Sequence, residues 1–393
     1  MARRARRILV DGSMARGGGG FTYLVNVLPY LSALAPQDRF RVLLRNERLA
    51  KSIPALPNVE IELLPDVSWL ERMRFTYYEL PRLLKAWDTD LYFSAGESAP
   101  LRAPCPMIAS FRNPIIYTAL DLGIPWKGRL RLSLLRGVSR VSARVCDRIM
   151  FVSEDSAGWM GDSVDVPAHK RTVVHHGIDA AAWARPKSAN ASPYPNSYIL
   201  SVSSVYTHKN YVRLIQAYAA MYARHANTPD LVIVGDIQHP AYLAEMERTR
   251  AELGPDLAEH IHFVGEVSYA DIKAYYAGAD LFVFPSYLES FGHPMLEAMA
   301  SGLPTVAADI PVFREIGGDA AFYADPHKPD ALAAAMEEAL FAPNAREALI
   351  RRARERVADF GWDTTAQRLS SLFDEVLAER ARAPARLRAH RAA

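Results

Sequence analysis

The sequence predicts an α/β fold made of two doubly wound parallel-sheet domains facing a cleft. Three observations predict it. Short, nearly continuous apolar runs alternate with longer amphipathic ones, the pattern of strands buried on both faces by helices. The alternation breaks once, over a Pro-rich stretch near residue 190, and then resumes. The chain has 393 residues, half of them apolar, enough for two separate cores.

The elements follow in order. Arg7 to Asp11 reads as a buried strand, followed by the glycine run Gly17 to Gly20. Phe21 to Leu34 places Leu24, Val27, Leu28, Leu31 and Leu34 at helical spacing. Phe40–Leu44, Leu91–Ser94, Met107–Ser110 and Arg148–Val152 are further short strands. Ala180 to Ser197 carries Pro186, Pro193 and Pro195 among Ala, Ser and Asn, the composition of a linker. Beyond it, Tyr198–Ser203, Leu231–Val234, Ile261–Val264, Leu281–Phe284 and Thr305–Ala308 are strands with helices between them. The expected division is therefore a first domain over 1–183, a linker over 184–197 and a second domain over 198–362. An amphipathic helix over 363–380 is expected to pack back on the first domain. The Arg/Ala-rich stretch 381–393 is expected to be a disordered basic tail.

Composition narrows the function. A formal net charge of +2 gives no field suited to nucleic acid. Two cysteines, Cys105 and Cys146, exclude a disulfide framework and a Cys-rich zinc site. No apolar run approaches the ~18–20 residues of a bilayer span. The apolar stretch after the basic start is only Ile8 to Val10, far short of the roughly 7–15 of a secretory core. The expected location is cytoplasmic.

In doubly wound sheets, ligands bind beyond the carboxyl ends of strands, and three groups of residues stand there. The first runs from Glu289 to Glu297. A strand ends near Pro285, and a loop carries Glu289, Ser290, Phe291 and Gly292. A helix then opens, with His293 before it and Pro294 in the favoured first-turn position. A helix start offers free N–H groups and partial positive charge to an anion, and Gly292 permits close approach of a diphosphate. Glu297 can accept from ribose hydroxyls and Glu289 from those of a sugar. Spacing alone leaves open two solvated glutamates around a core helix.

The second group is the loop Ser203 to Asn210, where Lys209 opens a helix and can neutralise a departing diphosphate. An exposed lysine on a surface loop is the alternative. The third lies in the first domain. Gly18 and Gly19 follow the first strand and allow a ligand near the backbone, unless the run is a floppy turn. Arg112 follows another strand and could bind a phosphate or an acidic acceptor, or form a surface ion pair. No Gly-x-x-x-x-Gly-Lys-Ser/Thr pattern is present, so this is no P-loop. The glycine spacing and the strand end at Leu44–Glu47 also argue against a dinucleotide oxidoreductase.

Glu289 to Glu297 resembles the Glu-x7-Glu motif of the group 1 retaining glycosyltransferases. Val264-Gly265, Tyr275 to Asp280, Pro285-Ser286, Glu297 to Gly302 and Glu315 to Ala321 stand in that family's order and spacing. The resemblance is strong over about 198–330 and weak elsewhere. It implies the GT-B fold, in which two Rossmann-like domains bind acceptor and donor respectively. It further implies that Glu289 and Lys209 act at the transferred sugar and diphosphate, joined by Arg112, where many members have His. Gly18, Gly19, Ser204, Lys209, Gly265, Glu289, Ser290, Phe291, Gly292, His293 and Glu297 would contact the donor, with Glu297 at its ribose. Ser204 stands where many members have Arg, and His208 is a candidate helper.

The implied reaction is retaining transfer of a sugar from a UDP- or GDP-linked donor to a hydroxyl, in assembly of a bacterial polysaccharide, glycolipid or other glycoconjugate. The implied acceptor is a glycan, a lipid-linked molecule or a small molecule. The donor is a co-substrate, and no resident cofactor or metal is expected. A non-catalytic nucleotide-sugar-binding partner subunit is the alternative. Residues 127–148 carry seven basic side chains and one acidic, interleaved with Leu and Val. They could contact the inner membrane face peripherally or form a sheet-covering helix with a basic outer face.

Overall fold

The computed structural model describes residues 4–15, 18–184, 193–268 and 271–392. Gly17, linker positions 185–192 and Ala393 lie outside them. The chain divides into two compact units. One comprises residues up to 119, 125–177 and 362 onward; the other comprises 120–124 and 178–361.

The first unit has a seven-stranded sheet, paired in parallel throughout. Its strands are β1 (Arg7–Asp11), β2 (Arg39–Leu44), β3 (Val59–Leu63), β4 (Leu91–Ser94), β5 (Met107–Ser110), β6 (Arg148–Phe151) and β7 (Arg171–Val173). The order β3-β2-β1-β4-β5-β6-β7 reverses direction between β1 and β4. Central β4 and β5 are buried at every position, because helices cover both faces.

The helix Gly18–Leu34 covers one face, with Leu24, Val27, Leu28 and Leu31 buried. It begins three residues before the expected Phe21, taking in part of the glycine run. The helix Trp362–Ala392 packs Trp362, Ala366, Leu369, Phe373 and Val376 into the same core. That spacing of four and three residues keeps one face inward. Arg6 ties the helix down, pairing with Asp374 at 2.8 Å and Asp38 at 2.5 Å. The backbone of this helix runs to Ala392.

The second unit has a six-stranded parallel sheet. Its strands are β8 (Tyr198–Val202), β9 (Asp230–Val234), β10 (Ile261–Gly265), β11 (Leu281–Phe284), β12 (Thr305–Ala308) and β13 (Phe322–Ala324). The order β10-β9-β8-β11-β12-β13 reverses between β8 and β11, so the loops leaving those two strands border the crevice where such sheets take ligands.

Candidate functional site

The loops after β8 and β11 are stitched together. Behind β8 the chain passes Ser203 and Ser204 and forms a short turn over Thr207–Lys209. It then enters the helix Tyr211–Tyr222 through Asn210, whose φ is +64°. Asparagine tolerates that left-handed conformation better than most residues. Its side-chain amide donates to the carbonyls of Pro285 (3.1 Å) and Pro326 (2.7 Å). From the other side, Ser286 Oγ (3.1 Å) and the Tyr287 N–H (3.0 Å) donate to the His208 carbonyl. The loop carrying Lys209 is thus locked to the segment leading to Glu289.

Lys209 Nζ and Glu289 Oε1 form an ion pair at 2.5 Å, and the ammonium also sits 5.7 Å from the centre of the Phe284 ring. His208 is buried, and burial with the neighbouring Lys209 charge lowers its pKa to about 2. Its ring stacks on Tyr206. At neutral pH it carries no charge for a phosphate.

The helix His293–Ala300 begins at Gly292, whose φ is +101°. A Cβ there would stand 2.7 Å from Phe313 Cε1, so both conformation and space demand glycine. Pro294 lies in the first turn and Met295 to Met299 are buried. Ser290 and Phe291 are buried beside the helix start, with Phe291 edge-on to Phe360. Burial lowers the His293 pKa to about 4, so this ring is also neutral at pH 7.

Glu297 lies one turn into the helix and is only 7% exposed. Tyr276 Oη donates to its Oε2 at 3.0 Å. Trp183 packs edge-on against Tyr276, and Lys273 lies over Trp183. Burial raises the Glu297 pKa to about 7, partly opposed by the Tyr276 hydrogen bond and the Lys273 charge. A buried carboxylate poised near neutrality and held by one donor has acceptor capacity left for a ligand.

Gly265 ends β10 with φ +83°, and a Cβ there would meet open space. Its carbonyl accepts from the Gly235 N–H at 2.9 Å. Gly235 in turn lies so close to the Ser203 carbonyl that any Cβ would collide with it. Ser204 is partly exposed beside that contact. Ser204, Lys209 and the segment Glu289–Glu297 therefore belong to one unit and lie at the strand ends around the β8–β11 reversal, while Gly265 lies at the end of the edge strand β10 and connects to the Ser203 loop through Gly235.

Gly18, Gly19 and Arg112 belong to the other unit. Gly18 and Gly19 form the first turn of their helix, and a Cβ on Gly19 would meet nothing within 4 Å. The Arg112 guanidinium lies 4.6 Å from the centre of the Tyr23 ring and donates to the Ala95 carbonyl. Glu97 Oε1 accepts from the backbone N–H groups of Arg112 (3.2 Å) and Asn113 (3.0 Å).

Sequence reasoning missed Asn210, Gly235 and Tyr276 as site-building residues. A signal existed for two of them. Asn210 stands at a loop-to-helix junction where a left-handed residue is needed, and Gly235 directly follows an apolar strand. The link from Tyr276 to Glu297 spans 21 positions and exists only after folding.

Residues 186–356 match the model for Glycosyl transferases group 1, and residues 17–182 match that for Glycosyltransferase Family 4. The chain belongs to the group 1 glycosyltransferase family. Among its curated relatives in this family, the O-antigen chain mannosyltransferase of Salmonella typhimurium is 25% identical over 240 residues, covering 61% of this chain and 63% of the relative. A D-inositol 3-phosphate glycosyltransferase of Salinispora tropica is 29% identical, covering 59% and 52%. The chain thus spans less than two thirds of the length of either. The phosphatidyl-myo-inositol mannosyltransferase of Mycolicibacterium smegmatis is 27% identical, covering 78% and 77%.

Solved structures share the fold of two Rossmann-like parallel-sheet domains, GT-B. Anabaena HepE in complex with UDP and glucose superposes with TM-score 0.74 at 19% identity, covering 94% of this glycosyltransferase-family chain and 100% of HepE. Sucrose-phosphate synthase from Thermosynechococcus elongatus superposes with TM-score 0.73 at 19% identity, covering 95% and 100%.

Proposed function

We propose that this protein is a retaining glycosyltransferase that passes a sugar from a nucleotide diphosphate donor to an acceptor hydroxyl in glycoconjugate assembly. The observation that carries this reading is the Lys209–Glu289 pair next to the Gly292 helix start. A cation, a carboxylate and the positive end of a helix dipole converge there, a combination suited to a sugar diphosphate. Glu297 would accept from the ribose diol. The helix start and Lys209 would bind the diphosphate, and Glu289 would orient the transferred sugar.

As the sugar–phosphate bond breaks, negative charge grows on the leaving diphosphate. Lys209 and the fixed backbone donors would stabilise it with little reorganisation. In a front-face course, the leaving phosphate oxygen takes the acceptor's proton, the acceptor oxygen bonds to the anomeric carbon on the same face, and the configuration is kept. The protein then supplies orientation and electrostatic stabilisation. Ser204 leaves one phosphate contact to be supplied by Lys209 and the backbone. Relatives named as mannosyltransferases and a fold neighbour crystallised with UDP and glucose support a UDP- or GDP-hexose as co-substrate. A glycan, a lipid-linked molecule or a small molecule would serve as acceptor.

The test is release of nucleoside diphosphate from UDP-, GDP- and ADP-sugars, with and without candidate acceptors, together with the anomeric configuration of the product by NMR. Acceptor-dependent release with retained configuration is expected. Donor binding without turnover across the acceptor panel would favour a nucleotide-sugar-binding subunit instead, and an inverted product would overturn retention.

A further inference from the structure

The helix Trp126–Val145 of the first unit carries apolar side chains on its outer face as well as its inner one. A surface helix of a globular domain ordinarily turns its apolar stripe inward. Here the fully buried positions are Ser139, Ser142 and Ala143, while Leu132 and Leu135 pack only partly against the core. Trp126, Leu130 and Leu134 are 65%, 55% and 52% exposed. They stand four residues apart, so they form one ridge along the outer face.

Basic side chains flank that ridge on both sides. On an ideal helix of 3.6 residues per turn, Lys127 and Arg131 fall on one side and Arg129 on the other. The helix has no acidic residue. Two of its arginines have structural work. Arg136 donates to the carbonyls of Ile116 (2.9 Å) and Thr118 (2.7 Å), and Arg140 pairs with Asp165 at 3.1 Å. Arg129 and Arg131 are exposed, and Lys127 lies over the Trp126 ring.

Among the described residues no helix is long and apolar enough to cross a membrane. An exposed apolar ridge flanked by Lys127 and Arg131 on one side and Arg129 on the other fits the boundary between lipid headgroups and acyl chains. Phosphates of an anionic leaflet complement the cations. A protein partner would need an apolar groove with acidic rims on both sides.

We propose that the helix Trp126–Val145 docks this protein on the surface of an anionic bilayer. Trp126, Leu130 and Leu134 enter the interface, and Lys127, Arg129 and Arg131 meet lipid phosphates. Delivery of a lipid-borne acceptor to the site rests on the transferase reading above; the lipid contact itself does not.

The test is flotation of the full chain with vesicles of pure phosphatidylcholine and of phosphatidylcholine mixed roughly 2:1 with anionic phosphatidylglycerol. Nucleoside diphosphate release is followed in vesicle-free samples, so that lipid binding and catalysis are judged apart. The wild type should float with the anionic vesicles and not with the neutral ones. Lys127→Glu/Arg131→Glu should weaken this about tenfold or more, as expected for charges held near the surface. Leu130→Ser/Leu134→Ser should weaken it comparably even at low salt, and Lys85→Glu, at an exposed lysine on a different helix, Leu80–Ala86, should leave it unchanged. Thermal unfolding like that of the wild type checks that the exposed substitutions spare the fold. A wild type that ignores anionic vesicles, or either double variant floating as the wild type does, overturns the proposal.

Discussion

Lys209 Nζ lies 2.5 Å from Glu289 Oε1, and the two side chains are only 14% and 12% exposed. The pair joins the loop after β8 to the loop after β11, across the reversal in strand order. Each group compensates the other's charge, and a bound diphosphate would compete with Glu289 for the ammonium.

Removing one member strands the other. Lys209→Met and Glu289→Gln should each lower stability by about 1–3 kcal/mol, with the double variant losing less than the sum. Chemical denaturation of the four proteins measures the coupling, and strict additivity would contradict a working pair. Glu289→Ala should also reduce acceptor-dependent turnover by about 100-fold or more while nucleotide binding survives. Near-normal turnover would remove Glu289 from the chemistry.

Glu297 sets a pH dependence. Its carboxyl has a pKa of about 7 in the folded protein against an ordinary 4.5, so the folded state holds this proton more tightly than the unfolded chain. The associated stability is complete below pH 4.5 and is lost as pH rises through 7. Glu297→Gln keeps an acceptor for Tyr276 and removes the burial of charge. At pH 8 it should be more stable than the wild type by up to about 3 kcal/mol, and near pH 4.5 the two should converge. Thermal melts at both values decide it. Donor affinity of the wild type should rise between pH 6 and 8 as the carboxylate forms, and that rise should vanish in Glu297→Gln.

Gly292 and Gly265 separate conformational strain from crowding. Both have positive φ, but a Cβ at 292 meets the Phe313 ring at 2.7 Å, whereas one at 265 meets open space. Gly265→Ala should cost about 1 kcal/mol. Gly292→Ala should cost about 2–4 kcal/mol and raise the donor KM, because the helix start must shift. Equal melting temperatures for the two variants would show that Phe313 gives way freely.

Asn210→Ala should lower stability by about 2–3 kcal/mol, because it leaves the buried carbonyls of Pro285 and Pro326 without their shared donor. Asn210→Gly relieves the left-handed backbone but not the lost hydrogen bonds, so it should recover about 1 kcal/mol of that. Full recovery in the glycine variant would assign the role of Asn210 to its conformation alone.

Strand order, loop locks and surface ridge were not equally legible before folding. β1, β4, β5, β11 and β12 were visible as continuous apolar runs, because a strand covered on both faces must be apolar at nearly every position. β3, β7 and β13 escaped notice. Each forms one edge of its sheet and is largely half-buried, so no such run marks it. The Glu289–Glu297 segment stood out because a strand end, a glycine and a helix-opening proline lie within one local stretch.

The partners of those glutamates did not stand out. Lys209 reaches Glu289 over 80 positions and Tyr276 reaches Glu297 over 21. The outward ridge of Trp126, Leu130 and Leu134 was equally hidden, since periodicity shows that a helix has two faces but not which one the core will accept. Local patterning thus determined element types and the strand–loop–helix that bears the two glutamates, because backbone hydrogen bonding and burial act over a few residues. Which cation meets which carboxylate, and which face meets solvent, was decided only by the packed sheet, because those contacts join strands whose neighbours in space are distant in the chain.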